Sequence, residues 1–304
     1  MFVPEGIYAA MLTPFDECGK VKELVIREMV EFYITRGVQG IFPVSNVGEH
    51  IQMSEEEKRC FVDIVIDQAK GRVRITPGIS SAGTDKAIEM GRYCAAAGAD
   101  GVVISAPYYF KYPQELVRSH LAKVAKSLDI PVILYNIPSF ANQITKETLK
   151  SLIEIDNIVA IKDSSGSIAE LLNLLNMIEA ERSDFRIMVG WEEMLLSSLV
   201  VGASGCMVAS GGIFPEVMAE IYRCFKNNQL HNAVKLQKLI ALATEQMKKV
   251  FFPYGYKLAM GARGFDMGEY SVKMEYEIAN EYKESIYSIV KYVLSEYEKI
   301  LNSR

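Results

Sequence analysis

Lys162 stands in the run Ile158-Val159-Ala160-Ile161-Lys162-Asp163-Ser164-Ser165-Gly166, where an apolar strand gives way to a turn. Burial at such a place disfavours an ammonium, and a neutral amine is a nucleophile toward carbonyls. The alternative is a lysine that returns its charge to the surface along its methylene stem. Tyr135 closes a second apolar run, Pro131-Val132-Ile133-Leu134-Tyr135-Asn136. A phenol beside a neutral amine suits imine chemistry. The amine adds to a ketone, and the phenol relays protons during dehydration and carbon–carbon cleavage. Tyr108 and Tyr109 follow a third run, which ends at Ala106. Simple packing with a solvated hydroxyl is the competing explanation for each tyrosine, and the preferred one for Tyr108.

Two further turns carry chemistry-bearing residues. Ser45-Asn46-Val47-Gly48-Glu49 offers small side chains and backbone N–H groups ahead of a helix starting near Ser54. Such a turn can hold a carboxylate. Gly190-Trp191-Glu192-Glu193 places two acids together. They would repel phosphate but accept hydrogen bonds from sugar hydroxyls. The competing explanation is that one or both cap the following helix.

These residues need a scaffold that brings strand ends together. Eight β-rich runs are predicted: 6–15, 40–44, 73–79, 101–106, 131–136, the run carrying Lys162, 186–189 and 205–209. Helical patterns lie between them. Ser54 followed by Glu55-Glu56-Glu57 reads as a capped helix start, and Thr84 and Thr145 are similar cap candidates. Gly98 and Gly202 read as helix ends. Eight strand-then-helix units with nearly continuous apolar strands predict an α/β fold, a (β/α)8 TIM barrel. A doubly wound open sheet usually has fewer strands and often a glycine-rich first turn, unlike Thr13-Pro14-Phe15-Asp16. In a barrel, sequential strands are neighbours, so Tyr135 and Lys162 meet at one height. Residues 1–225 are assigned to the barrel with its catalytic site. Residues 226–304 are assigned to a C-terminal helical domain, expected to serve oligomer contacts.

Bulk properties exclude several classes of function. The chain has 304 residues, half of them apolar, enough for one large domain or two smaller ones. A net charge of −5 without a basic cluster argues against nucleic acid. No apolar run is long enough to span a bilayer. The N-terminal residues lack a basic region followed by an apolar stretch, so no secretory signal is expected. Five scattered cysteines predict reduced thiols and a cytoplasmic protein. The three histidines, His50, His120 and His231, sit at no metal-site spacing. Neither a protein-held metal nor a Ser-His-Asp triad is expected.

With these residues in hand, the chain resembles the pyruvate-dependent class I aldolase superfamily of dihydrodipicolinate synthase and N-acetylneuraminate lyase. The resemblance runs from Gly6 to about Gly268. It is carried by Thr13-Pro14-Phe15, Val47-Gly48-Glu49, Pro107-Tyr108-Tyr109, Tyr135-Asn136-Ile137-Pro138 and Ile161-Lys162-Asp163-Ser164-Ser165-Gly166. It implies a barrel with a C-terminal helical domain, in a homotetramer built as a dimer of dimers. It implies Lys162 as the Schiff-base lysine for pyruvate, Tyr135 as the proton relay, and Tyr109 reaching across a subunit interface into the neighbouring site. The Val47 N–H is expected to hold the pyruvate carboxylate, with the Asn46 amide replacing a hydroxyl that the family usually supplies. Gly190, Glu192 and Glu193 resemble the run that binds sugar-chain hydroxyls in the lyases. Met207 and Ser210, at the end of the eighth strand, complete the expected substrate-binding set. Dihydrodipicolinate synthases place an arginine two residues after the Tyr-Asn-x-Pro motif, where this chain has Phe140. Glu55 and Lys58 occupy positions that are histidines in feedback-inhibited synthases.

The expected activity is a carbon–carbon lyase acting on a 2-keto-3-deoxy sugar acid or a sialic-acid-like substrate, with pyruvate and an aldehyde as partners. The imine is the electron sink, so neither metal nor organic cofactor is required. The alternatives are a dihydrodipicolinate synthase and a non-catalytic barrel that binds a keto acid.

Overall fold

A computed structural model describes residues 2–269 and 278–302. Its strands are β1 (Gly6–Ala10), β2 (Gly40–Phe42), β3 (Arg74–Ile75), β4 (Val102–Ser105), β5 (Val132–Asn136), β6 (Ile158–Asp163), β7 (Arg186–Val189) and β8 (Gly205–Val208). Their order is β3-β2-β1-β8-β7-β6-β5-β4, with every pairing parallel. The two ends of that order meet. The Val103 N–H donates to the Pro77 carbonyl at 2.9 Å, and the Ile79 N–H donates to the Val103 carbonyl at 2.9 Å. The sheet therefore closes into the predicted (β/α)8 barrel.

Its helices are α1 (Glu23–Thr35), α2 (Glu55–Ala69), α3 (Thr84–Ala97), α4 (Gln114–Lys126), α5 (Lys146–Leu152), α6 (Ile168–Glu181), α7 (Leu195–Val200), α8 (Ser210–Ile213), α9 (Pro215–Lys226), α10 (Leu230–Met247), α11 (Tyr254–Ala262) and α12 (Asn280–Asn302). Ser54 and Glu57 form a reciprocal capping box at α2, a device worth roughly 1 kcal/mol. Thr145 caps α5, but Thr84 is the first residue of α3 and makes no side-chain cap. No helix among the described residues is long and apolar enough to cross a membrane.

Two strands fall furthest short of their predicted runs. β1 ends at Ala10, yet Met11, Leu12 and Phe15 stay buried. The chain there leaves the sheet and packs against a later segment: the Phe15 N–H donates to the Met267 carbonyl at 3.2 Å. Apolarity in this stretch records burial, not strand. β3 is interrupted by Pro77, which has no N–H for the ladder.

Beyond α9 the chain returns to the barrel. α10 packs against α9, α12 and the 3-10 turn Glu192–Met194 that follows β7. The Gln237 side chain on α10 ties that turn down. Its Nε2 donates to the Glu192 carbonyl at 2.9 Å, and its Oε1 accepts from the Leu196 N–H at 2.9 Å.

Candidate active site

The register of the sheet decides which strand-end residues meet. Tyr135 on β5 is the direct partner of Lys162 on β6, and Asn136 that of Asp163. The second pair is a scaffold. Asn136 Nδ2 donates to Asp163 Oδ1 at 2.7 Å, and Ser165 Oγ donates to Asp163 Oδ2 at 2.6 Å. Burial pushes the Asp163 carboxyl above the usual carboxylate range, and those two bonds pull it back. Asn136 Oδ1 in turn accepts from the Ile144 N–H at 3.0 Å, which anchors the loop after β5.

The first pair faces a cavity of about 580 Å³ at the barrel mouth. Lys162 is 4 % exposed and Tyr135 7 %. The Lys162 amine lies 3.9 Å from the centroid of the Tyr135 ring and 5.0 Å from that of Phe42. Among the described residues it makes no ion pair. The Tyr135 hydroxyl likewise has no hydrogen-bond partner among the described residues.

Gly190 is what lets this floor close. A Cβ there would stand 1.9 Å from Ser164 Oγ and 2.9 Å from Lys162 Cε. Gly190→Ala is therefore an overpacking change, expected to lower stability by about 1–3 kcal/mol. Denaturant unfolding measures it; a loss under roughly 0.5 kcal/mol would mean that both neighbours swing aside freely.

The strand-2 turn reaches the same cavity. Asn46 and Val47 line the cavity. The Gly48 and Glu49 N–H groups are bonded inside the turn, to Ser45 and Asn46, whereas those of Asn46 and Val47 donate to nothing among the described residues. Thr13 Oγ1 donates to the Gly48 carbonyl at 2.7 Å, and Ser45 Oγ donates to the Met11 carbonyl at 3.0 Å, so the turn is tied to the chain after β1. A side chain at Gly48 would meet the Met11 carbonyl at 2.6 Å, so this tie requires glycine.

The remaining expected site residues divide. Glu192 and Met207 line the cavity with Gly190. Burial pushes the Glu192 carboxyl up, toward its neutral form, and the Ser210 N–H approaches its Oε1 at 3.4 Å. Glu193 turns away: its Oε1 pairs with Lys248 at 2.5 Å, while that ammonium stands 4.2 Å from the Trp191 ring centroid. Ser210 is fully buried beneath the cavity wall and does not line it. Tyr109 is 89 % exposed at φ 80°, edge-on to Phe110 with ring centroids 4.9 Å apart. Within one chain it does not join Lys162 and Tyr135.

Part of the wall escaped the sequence reading. Phe251 and Phe252, between α10 and α11, and Tyr256 on α11 roof the cavity. Phe252 stacks on Phe140 of the β5 loop at 5.7 Å and meets Tyr256 edge-on at 5.9 Å. The paired aromatics Phe251-Phe252 before Pro253 were the available signal, in a segment assigned to oligomer contacts. No group of three or more His, Cys, Asp or Glu side chains among the described residues is arranged to hold a metal.

The (β/α)8 barrel and its matches place the chain among the class I aldolases and carbon–carbon lyases. The chain belongs to the dihydrodipicolinate synthetase family, whose model matches residues 3–293. A probable 2-dehydro-3-deoxy-D-pentonate aldolase of Escherichia coli is 30% identical over 288 residues, covering 94% of this chain and 96% of that protein. The solved 4-hydroxy-tetrahydrodipicolinate synthase of Methylacidiphilum fumariolicum superposes with a TM-score of 0.90 at 27% identity, over 98% of this chain and 99% of that one. A chloride-inhibited dihydrodipicolinate synthase of Acinetobacter baumannii, solved with pyruvate, superposes with a TM-score of 0.87 at 26% identity, over 96% and 99%.

Proposed function

We propose that the protein cleaves, or forms, a 2-keto-3-deoxy sugar acid through a Schiff base on Lys162, with pyruvate as the keto-acid product. The observation that carries this is the Lys162–Tyr135 register pair, with the amine 3.9 Å from the phenol ring at the cavity floor. The Lys162 amine adds to the 2-keto carbon and water leaves, giving the imine. Tyr135 takes the proton of the C4 hydroxyl, C3–C4 breaks, and its electrons pass to the imine nitrogen. The enamine is protonated at C3, and hydrolysis frees pyruvate and the lysine. The unbonded Asn46 and Val47 N–H groups receive the carboxylate. The pyruvate complex of the Acinetobacter relative supports that ligand.

For the other half of the substrate, Glu192 alone of the two acids faces the cavity, where its carboxyl exchanges hydrogen bonds with a sugar hydroxyl. The sugar-acid name of the Escherichia coli relative supports the same class. Phe140, stacked on Phe252, offers no charge to the carboxylate of aspartate semialdehyde. Tyr109 serves the site of a neighbouring copy in the expected tetramer, a role its outward position suits. The five cysteines are free, as in a protein of the reducing cytoplasm.

Substrate choice is read by incubating the protein with pyruvate and a panel of aldehydes, with pyruvate release from 2-keto-3-deoxy acids as the reverse assay. Turnover is expected with polyhydroxylated aldehydes. Turnover confined to aspartate semialdehyde would establish a synthase instead, and pyruvate binding without turnover a non-catalytic barrel.

A further inference from the structure

Two residues that this chemistry leaves unused join two elements of the cavity wall. Glu49 ends the strand-2 turn in the left-handed region, at φ 63°. Its Oε1 accepts a hydrogen bond from Lys257 Nζ at 3.0 Å, and the two side chains are only 3% and 2% exposed. Lys257 lies on α11, directly after the cavity-lining Tyr256. Its amine also donates to the Glu269 carbonyl and stands 4.8 Å from the Phe15 ring centroid. The Glu269 N–H in turn donates to the Phe15 carbonyl at 3.0 Å. One ammonium thus gathers the chain after β1, the strand-2 turn, α11 and the segment before residue 270.

A buried ion pair is a poor route to stability, because an apolar pair of similar volume often does as well. What it supplies is a directional tie between two elements. Burial lowers the Lys257 pKa, and the facing Glu49 carboxylate opposes that shift. We propose that Glu49 and Lys257 are positioning residues for the aldolase site, holding the strand-2 turn and the α11 roof in one fixed relation. The turn then keeps its Asn46 and Val47 N–H groups ready for a carboxylate, while Tyr256 keeps its part of the wall in place. The inference rests on the reading of that turn as the keto-acid carboxylate's site.

The test is borohydride trapping on the full chain, titrated with pyruvate, for wild type, Lys257→Met and the double variant Glu49→Gln/Lys257→Met. The single change removes the facing ammonium from a buried carboxylate and lowers the melting temperature. The double change removes both charges and retains a folded chain. A carboxylate contact acts equally in ground and transition states. In the folded double variant, half-saturating pyruvate is therefore expected to rise about tenfold, with maximal labelling of Lys162 unchanged. Wild-type half-saturation in that variant overturns the proposal, because a merely stabilising pair moves the melting temperature and not the titration. Absence of any adduct on wild-type protein is a different failure: the Schiff-base reading falls, and the positioning proposal with it.

Discussion

Lys162→Met is expected to abolish both turnover and covalent capture. Incubated with pyruvate and borohydride, the wild-type chain gains the mass of a reduced pyruvate adduct at residue 162, and the variant gains none. Activity falls by more than roughly 10⁴-fold, the scale at which deletion of a covalent nucleophile acts. The expectation is that large because nothing nearby can substitute. Lys248 is paired with Glu193, Lys257 with Glu49, and Lys249, which also lines the cavity, donates to Gln246 Oε1 at 2.8 Å. Only Lys162 sits in register with Tyr135 at the cavity floor. Fold should survive, since methionine fills the same channel between the Tyr135 and Phe42 rings. An adduct on another lysine in wild-type protein, located by peptide mass mapping, would refute the assignment of the nucleophile.

Tyr135→Phe is expected to separate binding from chemistry. The ring is held edge-on to Phe42 at 6.4 Å, so phenylalanine keeps the packing and loses only the hydroxyl. General acid–base catalysis contributes about 10²–10⁴-fold, and kcat should fall by that factor. The pyruvate adduct on Lys162 still forms at long times, because the amine remains. A kcat within threefold of wild type would show that another group, with Glu192 the first candidate, moves the proton.

Particular residues show how far the sequence could be read. Lys162 and Tyr135 were legible because each ends an apolar run, and because sequential strands of a barrel are neighbours. Their meeting needed only strand order. The Ser45–Glu49 turn was legible as small residues between a strand and a helix cap. The fate of Glu193 was not. Its direction is settled by Lys248, 55 residues later, and no local pattern announces an ion pair across that distance. The aromatic roof of Phe251, Phe252 and Tyr256 falls in the segment assigned to oligomer contacts, because where α10 and α11 dock is a property of the packed barrel. Residues 11–15 were read as strand for a related reason: burial against residues 265–269 looks in sequence like burial in a sheet.

Strand and helix periodicity, with Lys162 and Tyr135 at successive strand ends, determined the barrel and its amine–phenol pair. These depend on short-range order and on the neighbour rule of a closed parallel sheet. Tertiary structure alone decided which acid faces the cavity, what roofs it, and that Glu49 and Lys257 meet. Those contacts join residues 55 and 208 positions apart, and they form only when the C-terminal helices fold back over the mouth of the barrel.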